Sequence, residues 1–570
     1  MKRTAIFLLL LTAIFCAGIV WAVYEAAAPS VAPLSKYVPA GPLLYLEAKD
    51  FSALLTGWNS SPQKKRWVGS SNYEVFSRSR LFLRLGGAGD QFAAAAGLPP
   101  DMNFLSQVAG TRSALALYDI GNLQFLYITY LPSAQSMQTT LWQTRAKFEP
   151  RNAGGVNFYL RRDPESHREV AFAVSGDYLL LATREDLMAG ALQLMSGSQN
   201  RTVESEQWWS QSVAATGTPG DLRMVLNLEK LVPSPYFRTY WVQQNITDLT
   251  QYSAAISDLI RSGRQYREER VLLRKAPAAA ASSADGLEAA ADLVRLVPDS
   301  AGVYEAKAHP SADSCLDLLE TKLLAPHLGP APASQIAPQV QLTSGETGGG
   351  SDLETHIDQA LVQRPVTPQN TTALKELLDK TQLLASLQVQ FTEREKAGVF
   401  VRIHSAVVLA AASGWNEANV QSALAEFVRP GLTASQFGVT WQQKSGYREL
   451  DGLWPLVASV RGKYLLVSDD PNLIAAMLSN FNRKSDVKPV IFVAGLNHSR
   501  ERANFARFSD VVDRPNRAQS NVPGMERQPQ FFSENMASLS SALADVSSEN
   551  IKIRVEGDKV LQTVTYEWSQ

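Results

Sequence analysis

The chain has 570 residues, 45% of them hydrophobic and 19% charged, with 54 Lys and Arg against 55 Asp and Glu. That length accommodates two domain-sized cores, and the apolar content excludes wholesale disorder. The balanced charge leaves no footprint for nucleic acid, and two cysteines support neither a disulfide framework nor a Cys-rich metal site.

In chain order, Lys2 and Arg3 precede an uncharged, mostly apolar run from Ile6 to Tyr24. Its 19 residues (24 − 6 + 1) exceed an ordinary signal-peptide core and approach the roughly 20 that span a bilayer. Residues 1–30 are therefore expected to form a signal anchor, the N-terminal hydrophobic helix. The basic residues would stay in the cytoplasm and the bulk of the chain would lie across the membrane, in an extracytoplasmic space. Cleavage after Ala22, releasing a periplasmic form, is the alternative. Bulky Phe15 ahead of Cys16 argues against a lipid anchor.

A first α+β unit is expected over residues 37–275. It opens with a strand at Leu43–Leu46 and a helix from Phe51. Strands follow at Ala114–Tyr118, Leu123–Leu131, Val156–Leu160, Glu169–Val174 and Leu222–Leu228. Helices are expected at Ser133–Thr144, with Ser133 as cap, and at Ile246–Ile260. Residues 276–295 read as a linker, small and flexible at their start. A second unit over 296–570 carries a Pro/Gly-rich insertion at 326–352. It has a strand at Phe400–Leu409, a helix at Asn416–Phe427, a strand at Val490–Ala494 and a helix around Met536–Asp545. It ends in a hairpin in which Ile551, Ile553 and Val555 alternate with basic residues.

Two stretches occur twice. Val174–Leu192 (VSGDYLLLATREDLMAGAL) aligns without a gap with Val460–Leu478 (VRGKYLLVSDDPNLIAAML), at an offset of 460 − 174 = 286. Each copy reads as a glycine turn, an apolar strand and an amphipathic helix. The helix caps are expected at Thr183, with Asp186 completing a capping box, and at Asp470, with Pro471 at the first helical position. Earlier, Val38-Pro39, Tyr45 and Glu47 return as Val297-Pro298, Tyr304 and Glu305, with one residue gapped. The expected architecture is α+β: a tandem duplication of a mixed, largely antiparallel sheet with packed helices.

The Val-Pro, Tyr, Glu signature and its strand–helix pair resemble an uncharacterised family of bacterial membrane-anchored extracytoplasmic proteins, a domain of unknown function present here as two diverged copies. The resemblance implies an address and an architecture, and no activity.

Site spacings are nearly absent. His167, His309, His327, His356, His404 and His498 show no i, i+4 pair and no HExxH, and read as surface histidines. Cys315 reads as a buried small hydrophobe. Leu85–Asp90 (LGGAGD) is Gly-rich but lacks the Lys-Ser/Thr of a phosphate loop, and reads as an ordinary loop. Asp469-Asp470 and Glu268-Glu269 are acid pairs. Lys64–Arg66 with Arg78, Arg80 and Arg84, and Arg261 to Lys275, are basic clusters that read as solvated faces. Trp208-Trp209 reads as core. No catalytic, cofactor-binding or metal-ligating residue is nominated, and no cofactor. The expected function is non-enzymatic: an extracytoplasmic binding or scaffold protein with an envelope protein partner, tethered through its N-terminal helix. A carrier of lipid or another hydrophobic ligand is the first alternative, recognisable by an apolar cavity between sheet and helices. A hydrolase without a known motif is the second, recognisable by converging carboxylates or histidines.

Overall fold

Gly176 and Gly462 adopt φ of 56° and 58°, the left-handed conformation of a tight hairpin turn that glycine takes without strain. Each joins two strands of a sheet in the computed structural model. That model describes residues 32–570 except 71–72, 74–76, 79, 137–138, 235–248, 277–282, 325–371, 395–400, 433–439, 451–455, 505–544 and 569–570. The expected N-terminal anchor, the 326–352 insertion with His327, the separate His356, and the helix before Asp545 lie outside the described residues. Among those described, no helix is long and apolar enough to cross a membrane.

The chain divides into two compact units, residues 1–61 with 78–258 and residues 62–77 with 259–570. Both are α+β, and every strand pairing given below is antiparallel.

The first unit contains β1 (Leu44–Ala48), β2 (Ser113–Asp119), β3 (Gln124–Tyr130), β4 (Glu149–Ala153), β5 (Val156–Arg162), β6 (Glu169–Ser175), β7 (Tyr178–Ala182) and β8 (Leu222–Asn227). They pair in the order β4-β5-β6-β7-β3-β2-β1-β8. Its helices include α1 (Phe51–Ser60), α2 (Arg80–Ala96), α3 (Met102–Val108), α4 (Glu185–Met195) and α5 (Gln207–Ala214). One rung crosses the sheet as Val225, Tyr45, Ala116, Leu126, Ala182 and Ala171. All six residues are fully buried. Trp209 of α5 meets Tyr45 edge-on at 4.8 Å, so the tryptophan pair is core, as expected.

Following β9 (Tyr252–Ser262), the second unit contains β10 (Gln265–Arg274), β11 (Val303–Ala308), β12 (Leu383–Arg394), β13 (Val401–Ala411), β14 (Trp441–Gln443), β15 (Arg448–Leu450), β16 (Leu456–Arg461), β17 (Tyr464–Ser468), β18 (Phe492–Asn497), β19 (Val546–Glu556) and β20 (Lys559–Trp568). The order is β14-β15-β16-β17-β13-β12-β11-β18-β19-β20-β10. Its rung runs Gly495, Tyr304, Val389, Ala406, Ser468 and Val457. Tyr304 stands where Tyr45 stands, and Ser468 where Ala182 stands. The helices include α6 (Ala284–Leu293), α7 (Ala312–Leu319), α8 (Thr372–Asp379), α9 (Glu417–Leu432) and α10 (Pro471–Ser479). One sheet face buries Ala290, Leu293 and Met477, and the other buries Leu319, Leu374, Leu378, Trp415 and Leu424.

Several sequence expectations are corrected. The 276–295 linker ends in α6, whose Ala290, Ala291 and Leu293 are buried and pack, while residues 277–282 at its flexible start lie outside the described residues. Residues from Tyr252, expected within a helix, form β9, with Ala254, Ile256 and Asp258 buried in alternation. Ile256, Leu259 and Ile260 also fit an i, i+3, i+4 stripe, so the short run satisfied both periods. Within Ser133–Thr144 a 3-10 turn at Pro132–Ser136 precedes a short helix at Thr140–Gln143 capped by Thr139. Asp470 caps α10 through the Asn472 amide at 2.8 Å, as expected. Thr183 does not cap α4: Arg184 takes that position, and the Thr183 hydroxyl accepts from the Phe125 amide at 2.8 Å. Glu47 shares its face with Tyr45 and accepts its hydroxyl at 2.8 Å, whereas Glu305, adjacent to Tyr304, stands on the opposite face.

Between β8 and β9, Arg223 and Asp258 form a buried bidentate pair at 2.8 and 2.7 Å. Gly220 donates to Asp258, and Thr216 and Gly217 accept from Arg223, so the pair is well satisfied. Asp258→Ala strands the guanidinium and is expected to cost about 3–5 kcal/mol, read by chemical denaturation.

Candidate functional site

The sheet face opposite Tyr45 carries the rung Met224, Leu46, Leu115, Tyr127, Leu181 and Phe172. In the first unit it is roofed by α2 and α3, with Phe92, Phe104 and Val108 turned toward it. Asp101 holds the start of α3 by accepting from the Phe104 amide at 2.8 Å. Between roof and sheet lies a cavity of about 440 Å³, floored by Leu46, Leu115, Phe125 and Leu181. It extends from Leu222 on β8 to Val170 on β6, six strands whose five spacings of about 4.8 Å give roughly 24 Å.

The roof is thin because α2 contains Gly86, Gly87, Ala88 and Gly89. Ala88 and Gly89 line the cavity, and a Cβ on Gly89 would meet only Pro100 Cγ, at 3.6 Å. This is the Gly-rich stretch expected as a loop. Helix propensity disfavours these glycines by about 1 kcal/mol each, and the cost is overridden by the apolar face that α2 lays on the sheet.

Polar groups occupy the two ends. At the inner end the Tyr127 hydroxyl donates to the Val108 carbonyl at 2.8 Å, and burial pushes its pKa up. Ser113 and Thr129 hydroxyls meet at 2.6 Å, so these groups are satisfied internally. At the mouth stand Gln91, Asn122, Arg168, Glu169 and Thr183. The Glu169 carboxylate is engaged by Arg162 at 2.6 and 2.9 Å and by the Glu185 amide at 2.8 Å. Arg168 donates to Gln91 Oε1 at 3.0 Å and to the Asn122 carbonyl. None of these residues was marked as a site residue in the sequence, where Thr183 read only as a helix cap, because the site assembles from segments spread between residues 46 and 222.

The residues singled out from sequence fall elsewhere. Cys315 is buried, and burial pushes its thiol up to about 12, as suits a small hydrophobe in the core. His404 is buried rather than on the surface. It stacks on Phe391, with Nδ1 3.6 Å from Asp470 and Nε2 3.3 Å from Glu393. Asp469 accepts from the Ser405 amide at 2.8 Å, the same strand-closing bond that Thr183 makes to Phe125. Asp469 and Asp470 are thus committed to closing a strand–helix turn. Glu268 pairs with Arg270 at 2.5 Å and Glu269 with Arg267 at 3.1 Å. In the other basic cluster Arg66 pairs with Asp545. Among the described residues no three His, Cys, Asp or Glu gather as metal ligands.

No protein-family model matches the chain, and no curated protein matches it. Solved structures of TP0453 share part of it. Crystal form I is 13% identical, covering 44% of this chain and 82% of its own with a TM-score of 0.24. Crystal form III is 11% identical over 46% and 86%, also at 0.24. A likeness at this level carries no argument about ligand or role.

Two predictions follow from this geometry. An added Cβ at Gly86 or Gly87 meets nothing within 4 Å, so Gly86→Ala with Gly87→Ala should stabilise the protein by about 1–2 kcal/mol, measured as a raised denaturation midpoint. Burial pushes the Asp469 carboxyl from 3.8 up to about 6. A raised folded-state carboxyl binds its proton more tightly folded than unfolded, so stability falls as pH rises through that window. Asp469→Asn should flatten this slope, worth on the order of 2 kcal/mol, in denaturant titrations on either side of it.

Proposed function

We propose that this protein binds and carries an apolar, chain-like ligand without catalysing its conversion, the ligand lying in the cavity beneath α2 and α3. The cavity carries the reading: about 440 Å³ of space walled by aliphatic and aromatic side chains, with polar groups at its ends, fits the ordinary dimensions of small-molecule sites. The carrier reading therefore takes precedence over a scaffold for an envelope protein partner. A hydrolase is less favoured: His404 does meet carboxylates, Glu393 at 3.3 Å and Asp470 at 3.6 Å, but Asp470 caps α10 and Asp469 closes the strand–helix turn.

The reading includes two diverged copies of one α+β unit. The matched strand orders support it, as do the rungs on which Tyr45 and Tyr304, and Ala182 and Ser468, hold equivalent places. It also includes tethering to a bacterial cytoplasmic membrane through residues 6–24, with the bulk extracytoplasmic. Lys2, Arg3 and the apolar run support that address.

The test is photo-labelling of the full-length chain in amphipol with a diazirine-bearing hexadecanol, followed by peptide mapping. Labels are expected on residues 88–127, and Leu115→Trp, which fills the floor, should remove most of them. Labelling confined to residues 6–24 would overturn the reading.

A further inference from the structure

We propose that the ligand is a single-chain amphiphile with an anionic head, a fatty carboxylate or a monoacyl phosphate, whose head is held by Arg168 while its chain lies along the sheet. This deepens, and rests on, the carrier reading above. The argument begins with charge. Three neighbouring arginines are paired: Arg162 with Glu169 at 2.6 Å, Arg151 with Glu149 at 2.8 Å, and Arg184 with Asp186. Arg168 is not, and unlike Arg161 on the adjacent strand it lines the cavity. Its guanidinium meets only the Gln91 side chain and the Asn122 carbonyl, and among the described residues no carboxylate pairs with it. The acid beside it, Glu169, has its oxygens taken by Arg162 and the Glu185 amide.

An uncompensated cation at the rim of an apolar cavity attracts an anion whose remainder is apolar. Gln91 and Asn122 hold the guanidinium from two sides, which fixes its planar fork, and a fork presents paired donors to a carboxylate or phosphate. The rest of the cavity sets the tail. Its inner polar groups, the Tyr127 and Ser113 hydroxyls, are bonded to the Val108 carbonyl, to each other and to Thr129, so they ask nothing of a ligand. The length across six strands accommodates an extended alkyl chain, and about 440 Å³ lies toward the small end of ligand cavities. One chain suits that space better than two.

The same full-length chain is photo-labelled with diazirine-bearing hexadecanoate, hexadecyl phosphate and hexadecanol, reading the concentration for half-maximal labelling of residues 88–127. Either anion should label at a concentration at least about tenfold below that of the alcohol, and which one does identifies the head. Arg168→Gln should abolish that preference while leaving alcohol labelling in place. Arg168→Lys, which keeps the charge, should retain most of it and separates loss of charge from a disturbed mouth. Equal concentrations for anions and alcohol, or a preference surviving in Arg168→Gln, would overturn the anionic head while the apolar carrier stands. Absence of cavity labelling by all three would overturn both.

Discussion

An antiparallel sheet with apolar side chains on both faces must be covered on both, and this requirement governs each unit. On one face the solution is uniform. Tyr45, Ala116, Leu126 and Ala182 are fully buried in the first unit, and Val389, Ala406 and Val457 in the second, where α6 and α10 close over them. Burying a row of such side chains contributes about 1.5–3 kcal/mol for each large one. A one-residue slip of register would turn the row outward, so the pairing is strongly specified.

The opposite face is where the units diverge. In the second, α7, α8 and α9 bring Leu319, Leu374, Leu378, Trp415 and Leu424 down onto Val407, Leu409, Leu465 and Val467, and large side chains fill the space. In the first, α2 brings Ala88, Gly89 and Phe92 over the equivalent rows at Tyr127 and Leu181. Aromatic residues at the margins keep the roof in place while its middle stays open. The same order of eight strands thus carries a cluster of large buried side chains in one unit and a cavity beneath small ones in the other, a difference in side-chain volume in the covering helices.

That contrast also explains what was legible beforehand. Val174–Leu192 and Val460–Leu478 could be read element by element, because turn, strand and helix are each set by residues close in sequence. The hairpin at Gly557 was legible for the same reason, and the alternation Ile551, Ile553, Val555 has one interpretation. β9 was not, since Ile256, Leu259 and Ile260 satisfy a helical stripe as well as Ala254, Ile256 and Asp258 satisfy a strand. The Gly86–Gly89 stretch was misread as a loop because propensity sees three glycines but not the sheet beneath them. Thr183 was misread as a cap because its bond goes to Phe125, 58 residues away. The cavity itself was invisible: it is an absence of volume among residues from Leu46 to Leu222, and no local pattern encodes an absence.

The energetics of that absence bear on its use. Apolar wall left facing solvent forgoes about 25 cal/mol for each Å² that a ligand would cover. The inner stretch between Leu115, Phe104 and Val108 is apolar, and the Tyr127 and Ser113 hydroxyls beside it are already bonded within the protein. Collapse is resisted too, because Asp101 anchors α3 and the Tyr127 hydroxyl ties Val108 to the sheet at 2.8 Å. A chamber propped open at this cost is stabilised by whatever apolar chain enters it, in proportion to the ligand's concentration over its dissociation constant. On the carrier reading, occupancy and folding stability are consequently linked in the first unit.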